Sequence, residues 1–213
     1  MLVIIVIWLL IRFLRTFIQF PVPGYVGILL GSPMRLWLQK PSQLIARSGI
    51  ESGMTVVDLG CGIGPYVPHV ALAVGNAGQV YAIEIRRWML RQLKRKLAKK
   101  KFRDITNIDF KLASAHELPF EDESIDLIYM VAVLEEIPDR SKTLREIRRV
   151  LKTGGILAVT EMLIDPEYPL RTSTIKHCRR EGFEVDASLG RFWNYTVRFR
   201  KQASCIELME IPG

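Results

Sequence analysis

Residues 56 to 64 read Val-Val-Asp-Leu-Gly-Cys-Gly-Ile-Gly, a short apolar run that ends on an acid and passes into three glycines at alternate positions. No other stretch restricts the fold as much. Glycines at Gly60, Gly62 and Gly64 permit positive φ values and let backbone approach a ligand closely, because no Cβ intervenes. The loop therefore reads as a turn between a strand and a helix that has a nucleotide-like ligand beside it. A nicotinamide dinucleotide site would place its third glycine one residue later, and here that position is Pro65.

From residue 50 onward, apolar runs alternate with longer amphipathic stretches, the pattern of a parallel sheet covered on both faces by helices. The runs predict strands over Thr55–Leu59, Gln79–Glu84, Ile108–Leu112, Ile125–Val131, Ile156–Thr160, Phe183–Ala187 and Thr196–Lys201. Helices are predicted over Tyr66–Val74, Arg87–Lys99, Ser141–Val150 and Leu170–Glu181. No helix fits between the last two strands, so they form an antiparallel hairpin at the sheet edge. The fold class is thus α/β, a Rossmann-like seven-stranded, mostly parallel sheet. With 213 residues and 49% hydrophobic content, the chain makes one domain with an attachment.

The attachment is the N-terminus. Met1 to Ile11 is uninterrupted apolar sequence, and Phe13, Leu14, Phe17, Ile18 and Phe20 continue the pattern beyond Arg12. At about 1.5 Å per residue, residues 1–20 just span a bilayer core if Arg12 and Arg15 snorkel to one interface. An interfacial helix fits the same sequence. Neither a basic stretch before the run nor a small-residue site after it marks a cleaved signal peptide. Arg12, Arg15, Arg35, Lys40 and Arg47 all follow the run, so the positive-inside rule places the remainder in the cytoplasm. Residues 21–48 read as an apolar linker with two short helices divided at Pro41, expected to pack over the first strand. The catalytic-type domain then covers 49–205, with a tail at 206–213.

The net charge of +8 admits an anionic neighbour without choosing between nucleic acid and lipid. Ten of the residues from Arg86 to Arg103 are Lys or Arg. Such a run is a solvated helix face, and beside an apolar anchor it also suits anionic headgroups. No nucleic-acid module or aromatic basic groove accompanies it. Cys61, Cys178 and Cys205 show no metal or disulfide spacing.

Two acids sharpen the reading of the glycine loop. Asp58 ends an apolar strand, where a bare buried charge is costly unless hydrogen-bonded. Glu84 closes the second strand about 20 residues after the loop, where a carboxylate accepts hydrogen bonds from ribose hydroxyls.

Residues Val56 to Gly64 resemble the first motif of class I S-adenosylmethionine-dependent methyltransferases. Later segments match that family in order: Glu84 at its ribose acid, Leu118-Pro119-Phe120 with Ser124-Ile125-Asp126-Leu127-Ile128 at its Leu-Pro-Phe segment, and Arg149-Val150-Leu151-Lys152-Thr153-Gly154-Gly155 at its Arg-Val-Leu-Lys turn. The resemblance covers about residues 50 to 200 and is nearer to the small-molecule and lipid-quinone branch than to the nucleic-acid one. It implies S-adenosylmethionine as cofactor, held by Asp58, Gly60, Cys61, Gly62, Gly64, Glu84, Ser114, Ala115 and Val131. It departs at Ala113-Ser114-Ala115, where relatives carry an adenine-binding aspartate, and at Glu135-Glu136, where relatives often carry histidines.

Methyl transfer from a sulfonium asks the protein chiefly to align an acceptor and exclude water. The acceptor-side candidates are Glu135, His116 and Tyr168, although Glu135 also suits the start of a helix and His116 a capping role. The combined expectation is a methyltransferase at the cytoplasmic membrane face, acting on a hydrophobic small molecule or lipid such as an amine, quinone precursor or thiol. A protein or RNA acceptor, or a non-catalytic cofactor-binding module, is the alternative.

Overall fold

Each short apolar run becomes a strand because its β-branched side chains pack on both faces of one sheet. The computed structural model describes residues 32–202 apart from Pro166. In chain order the elements are α1 (Ser32–Leu38), α2 (Pro41–Ser48), β1 (Thr55–Leu59), α3 (Val67–Val74), β2 (Gln79–Glu84), α4 (Arg87–Leu97), β3 (Ile108–Leu112), β4 (Ile125–Val131), α5 (Arg140–Val150), β5 (Leu151–Met162), α6 (Arg171–Arg180), β6 (Phe183–Arg191) and β7 (Asn194–Lys201). The sheet order is β3-β2-β1-β4-β5-β7-β6. Strands β1 to β5 run parallel, whereas β7 is antiparallel to both β5 and β6. The expected edge hairpin is present, with β6 outermost and largely exposed.

Strand alternation divides the core in two. Val57, Leu59, Ile128, Met130, Leu157 and Val159 face α5 and α6. Val56, Val80, Leu127, Tyr129, Ile156 and Ala158 face α2, α3 and α4. Strand order reverses between β1 and β4, so the carboxyl ends of those strands flank a crevice, the usual ligand position in an open parallel sheet.

Two expectations shift, the start of β5 and the packing of α2. Strand β5 begins at Leu151, five residues before the predicted start, because Ile125 pairs with Leu151 while Leu127 pairs with Ile156. The bulge between them is made by Gly154, at φ +74°, and Gly155, whose missing Cβ would lie 2.7 Å from the Lys152 carbonyl. Helix α2 packs against β5, β7 and α3 rather than primarily over β1, with Leu44 buried in the same apolar cluster as Val56 and Ile45 partly buried against it. Asn194 fixes this arrangement by donating to the Leu38 carbonyl at 2.9 Å and accepting from Arg47 at 3.2 Å. The predicted membrane helix at 1–20, the start of the linker and the tail at 206–213 lie outside the described residues. Among the described residues no helix is long and apolar enough to cross a membrane.

Candidate active site

The glycine loop is bound to β2 by its backbone. Gly60 and Cys61 both donate to the Ile83 carbonyl at 2.9 Å, and Gly64 donates to the Cys61 carbonyl at 2.8 Å. Glu84 secures the loop from the other strand: one carboxylate oxygen accepts from Gly62 N–H at 3.0 Å and the second from Arg86 N–H at 2.9 Å. Each oxygen keeps a further lone pair for a ligand hydroxyl. Two of the glycines are required by their neighbours. A Cβ on Gly60 would sit 2.7 Å from the Val133 methyls, and one on Gly64 would sit 2.3 Å from Leu93 Cδ1. Gly62 differs, since a Cβ there would meet nothing nearer than Met89 Sδ at 3.9 Å, and that opening is where a cofactor can meet the backbone. Cys61 is buried beneath the loop, consistent with a packing role.

Asp58 is only 4% exposed and accepts a 2.6 Å hydrogen bond from the Tyr129 hydroxyl. Burial pushes its carboxyl up to about 7, with the Glu84 charge adding to the shift and the Tyr129 bond opposing it. No local motif marks Tyr129, which is 71 residues away and reaches Asp58 because β1 and β4 are neighbours in register.

The remaining candidates surround the crevice unevenly. Val131 ends β4, and the next residue, Ala132, adopts a left-handed φ of +55° while donating to the Thr160 carbonyl at 2.8 Å. A non-glycine residue held there is a local strain of the kind found at functional sites. Ser114 and Ala115 are half-buried just beyond β3, with Ser114 Oγ accepting from His116 N–H at 3.2 Å. The His116 ring bonds the Asp139 carbonyl at 3.1 Å, which ties it to the start of α5. Tyr168 donates its hydroxyl to the Phe192 carbonyl and lies edge-on to Tyr195, so it braces the β6–β7 turn. Glu135 pairs with Arg140 at 2.7 Å, and burial raises its carboxyl despite Arg140.

A group absent from the sequence reading completes this side. Glu161, next to last in β5, is 2% exposed and lies among the charges of Asp165, Glu135, Glu136 and Arg35. Arg35 of α1 pairs with Asp165. The signal was available: Glu161 is an acid ending an apolar strand, as are Asp58 and Glu84, but the predicted strand stopped one residue short. Away from the crevice, Arg149 donates to the Leu118 and Phe120 carbonyls at 3.1 and 2.9 Å, joining the two later motif segments. Among the described residues no group of His, Cys, Asp or Glu is arranged to hold a metal ion.

A family model described as a methyltransferase domain matches residues 50–193. The chain belongs to the class I S-adenosylmethionine-dependent methyltransferases. A ubiquinone/menaquinone biosynthesis C-methyltransferase, UbiE, of Pseudoalteromonas translucida is 39% identical over 127 residues, which are 60% of this chain and 49% of that protein. A demethylmenaquinone methyltransferase of Staphylococcus aureus is 34% identical over 113 residues, 53% of this chain and 45% of that one. The chain thus spans about half the length of the curated relatives it matches. Among solved structures, a SAM-dependent methyltransferase from Aquifex aeolicus aligns with a TM-score of 0.75 and 25% identity, over 86% of this chain and all of that one. The [4+2]-cyclase SpnF shares the fold at TM-score 0.65 and 21% identity, over 77% of this chain and 81% of its own. The fold alone therefore does not fix a reaction.

For this methyltransferase the residues present suit the family cofactor: an open glycine backbone, a strand-end carboxylate for ribose, and a buried Asp58 beside them. S-adenosylmethionine carries positive charge on its sulfonium and ammonium, so its binding favours ionised Asp58 and releases a proton. Affinity is then expected to rise with pH and level off above about 7, the value to which burial pushes Asp58. Calorimetry between pH 5.5 and 8.5 in buffers of different ionisation heat measures both effects. Asp58→Asn is expected to bind weakly with little pH dependence. A flat affinity for the parent protein would exclude this role for Asp58.

Proposed function

We propose that the chain methylates a hydrophobic, membrane-resident small molecule of the quinol class at the cytoplasmic membrane face. The observation that carries this reading is the 34 to 39% identity to quinone-pathway methyltransferases over 113 to 127 residues, 53 to 60% of this chain. Two features support it. The apolar sequence of residues 1–20 suits a membrane anchor, and Arg86, Arg87, Arg91, Lys94 and Arg95 stand exposed along α4, where anionic headgroups contribute about 1 kcal/mol per cation. The chemistry fits the site. Bound S-adenosylmethionine supplies an electrophilic methyl group, and the protein's own residues hold the acceptor, exclude water and remove a proton.

The test is to incubate the full chain with methyl-labelled cofactor and membranes, then separate organic phase from macromolecular precipitate. Label in an organic-phase quinol is the expected result. Label confined to the precipitate would overturn the small-molecule reading in favour of a protein or RNA acceptor.

A further inference from the structure

Three side chains from separate elements carry buried polar atoms with no hydrogen-bond partner and interact with one another in sequence beside the carboxyl ends of β4 and β5. Glu135 Oε1 comes from the turn after β4, Glu161 Oε1 from β5, and His177 Nδ1 from α6. They share one neighbourhood, since the charge of Glu135 acts on Glu161 and that of His177 acts on Glu135. Glu161 is 2% exposed. A buried polar atom without a partner is costly, and several in one neighbourhood point to a group that arrives to satisfy them. A bound metal is a poor candidate because no set among the described residues has ligand geometry. The position is that of an acceptor: Thr160, preceding Glu161, accepts from Ala132 at the left-handed end of β4, and Val133 closes on Gly60 of the cofactor loop. Arg35 of α1 pairs with Asp165, and both charges act on Glu161, so α1 adjoins this site.

We infer that Glu161 is a catalytic residue that receives the hydroxyl of the methyl acceptor and takes its proton, with Glu135 holding the same hydroxyl alongside. This assignment rests on the quinol reading above. In the step, the acceptor O–H bond breaks, its electron pair stays on the acceptor, and a new O–H bond forms on the Glu161 carboxylate. The acceptor's ring carbon then takes the methyl group as the methyl–sulfur bond breaks with its pair left on sulfur. Loss of the ring C–H proton with return of a proton to oxygen restores the aromatic hydroxyl, and one proton in all reaches solvent.

The surroundings favour a base of raised strength. Burial raises the Glu161 carboxyl well above the ordinary range, and Asp165, Glu135 and Glu136 raise it further against Arg35. Cys178 of α6 and Tyr195 of β7 also face it, and both are themselves pushed up by burial. A weaker acid is a stronger base, closer to the phenolic proton it removes. Activity at saturating cofactor should therefore fall as pH drops through a value above that of an ordinary glutamate.

The full chain is assayed with the hydroquinone form of 2-farnesyl-1,4-naphthoquinone in dioleoylphosphatidylglycerol vesicles under anaerobic conditions. Glu161→Gln, nearly isosteric, is expected to lower kcat about 100-fold and to remove the acidic limb of the pH profile. Thermal midpoint and calorimetric cofactor affinity should stay near parent values, and Glu161→Asp should recover part of the rate. A Gln variant within threefold of the parent and with the same acidic limb would overturn the assignment while leaving the proposed function standing. A parent chain that methylates neither this probe nor any organic-phase molecule would overturn both. Should Glu161→Gln lose the fold, Glu135→Gln serves instead: a KM for the probe raised about tenfold, with a smaller change in kcat, supports the site, and unchanged kinetics reject it.

Discussion

Glu84→Ala is expected to weaken S-adenosylmethionine binding by two orders of magnitude or more. The carboxylate makes two kinds of contact at once. It accepts from Gly62 N–H at 3.0 Å and Arg86 N–H at 2.9 Å, and the resemblance to the methyltransferases leads us to expect it to hold the cofactor's ribose hydroxyls. Hydrogen bonds to a charged group are worth about 1.5–3 kcal/mol each, so losing two ribose bonds alone costs about 3–6 kcal/mol of binding. Freeing Gly62 adds to this, because the loop then has to be ordered when the cofactor arrives. Glu84→Gln should be nearly as damaging despite its size. A side-chain amide has one accepting oxygen, so only one of the two N–H groups is satisfied, and its NH2 group is turned toward the other donor. Calorimetry with the cofactor and with S-adenosylhomocysteine checks the result. An affinity for Glu84→Ala within threefold of the parent would remove Glu84 from the ribose site.

What could be read from the chain beforehand follows from how far apart the deciding residues are. Strands β1 to β4 begin and end as predicted because each is a short stretch dominated by β-branched, aliphatic or aromatic residues and bounded by polar or turn residues, a signal complete within five to seven residues. That Asp58, the three glycines and Glu84 gather at one strand-end loop is legible for the same reason, since local spacing along β1 and β2 places them there. Strand β5 was cut short because Lys152-Thr153-Gly154-Gly155 has the composition of a turn, and only pairing with β4 makes it a bulged strand. The acceptor side was mostly hidden. Arg35 and Asp165 are 130 residues apart, and the Tyr129 partner of Asp58 is a core-facing aromatic like any other until β4 is placed beside β1. Glu135 was flagged through its position after β4, but the partner that gives it a chemical use, Glu161, ends a strand whose predicted limit excluded it. His116, chosen for its place after the third strand, and Tyr168, in the loop after β5, bond the Asp139 and Phe192 carbonyls, partners that no local pattern announces.

The packing of the loop makes a second large effect measurable without any ligand. Gly64 has φ +63°, and an added Cβ would come within 2.3 Å of Leu93 Cδ1 and 2.8 Å of Leu93 Cδ2. Leu93 is fully buried on the inner face of α4, so it has little room to withdraw. Gly64→Ala therefore meets two costs, about 1–2 kcal/mol for the left-handed backbone and about 1–3 kcal/mol for overpacking. A combined loss of about 2–5 kcal/mol corresponds to a fall of roughly 5–15 °C in Tm for a domain of this size. The two costs can be separated with a double-mutant cycle. Leu93→Ala alone leaves a cavity and destabilises, yet in the Gly64→Ala background it also relieves the clash, so the pair should be more stable than the sum of the single changes. The backbone cost remains in the double variant because no change at residue 93 alters φ at 64. Thermal unfolding of the four proteins gives the coupling directly. Strict additivity would mean that α4 yields to the new methyl group, and that Leu93 does not set the shape of the cofactor loop.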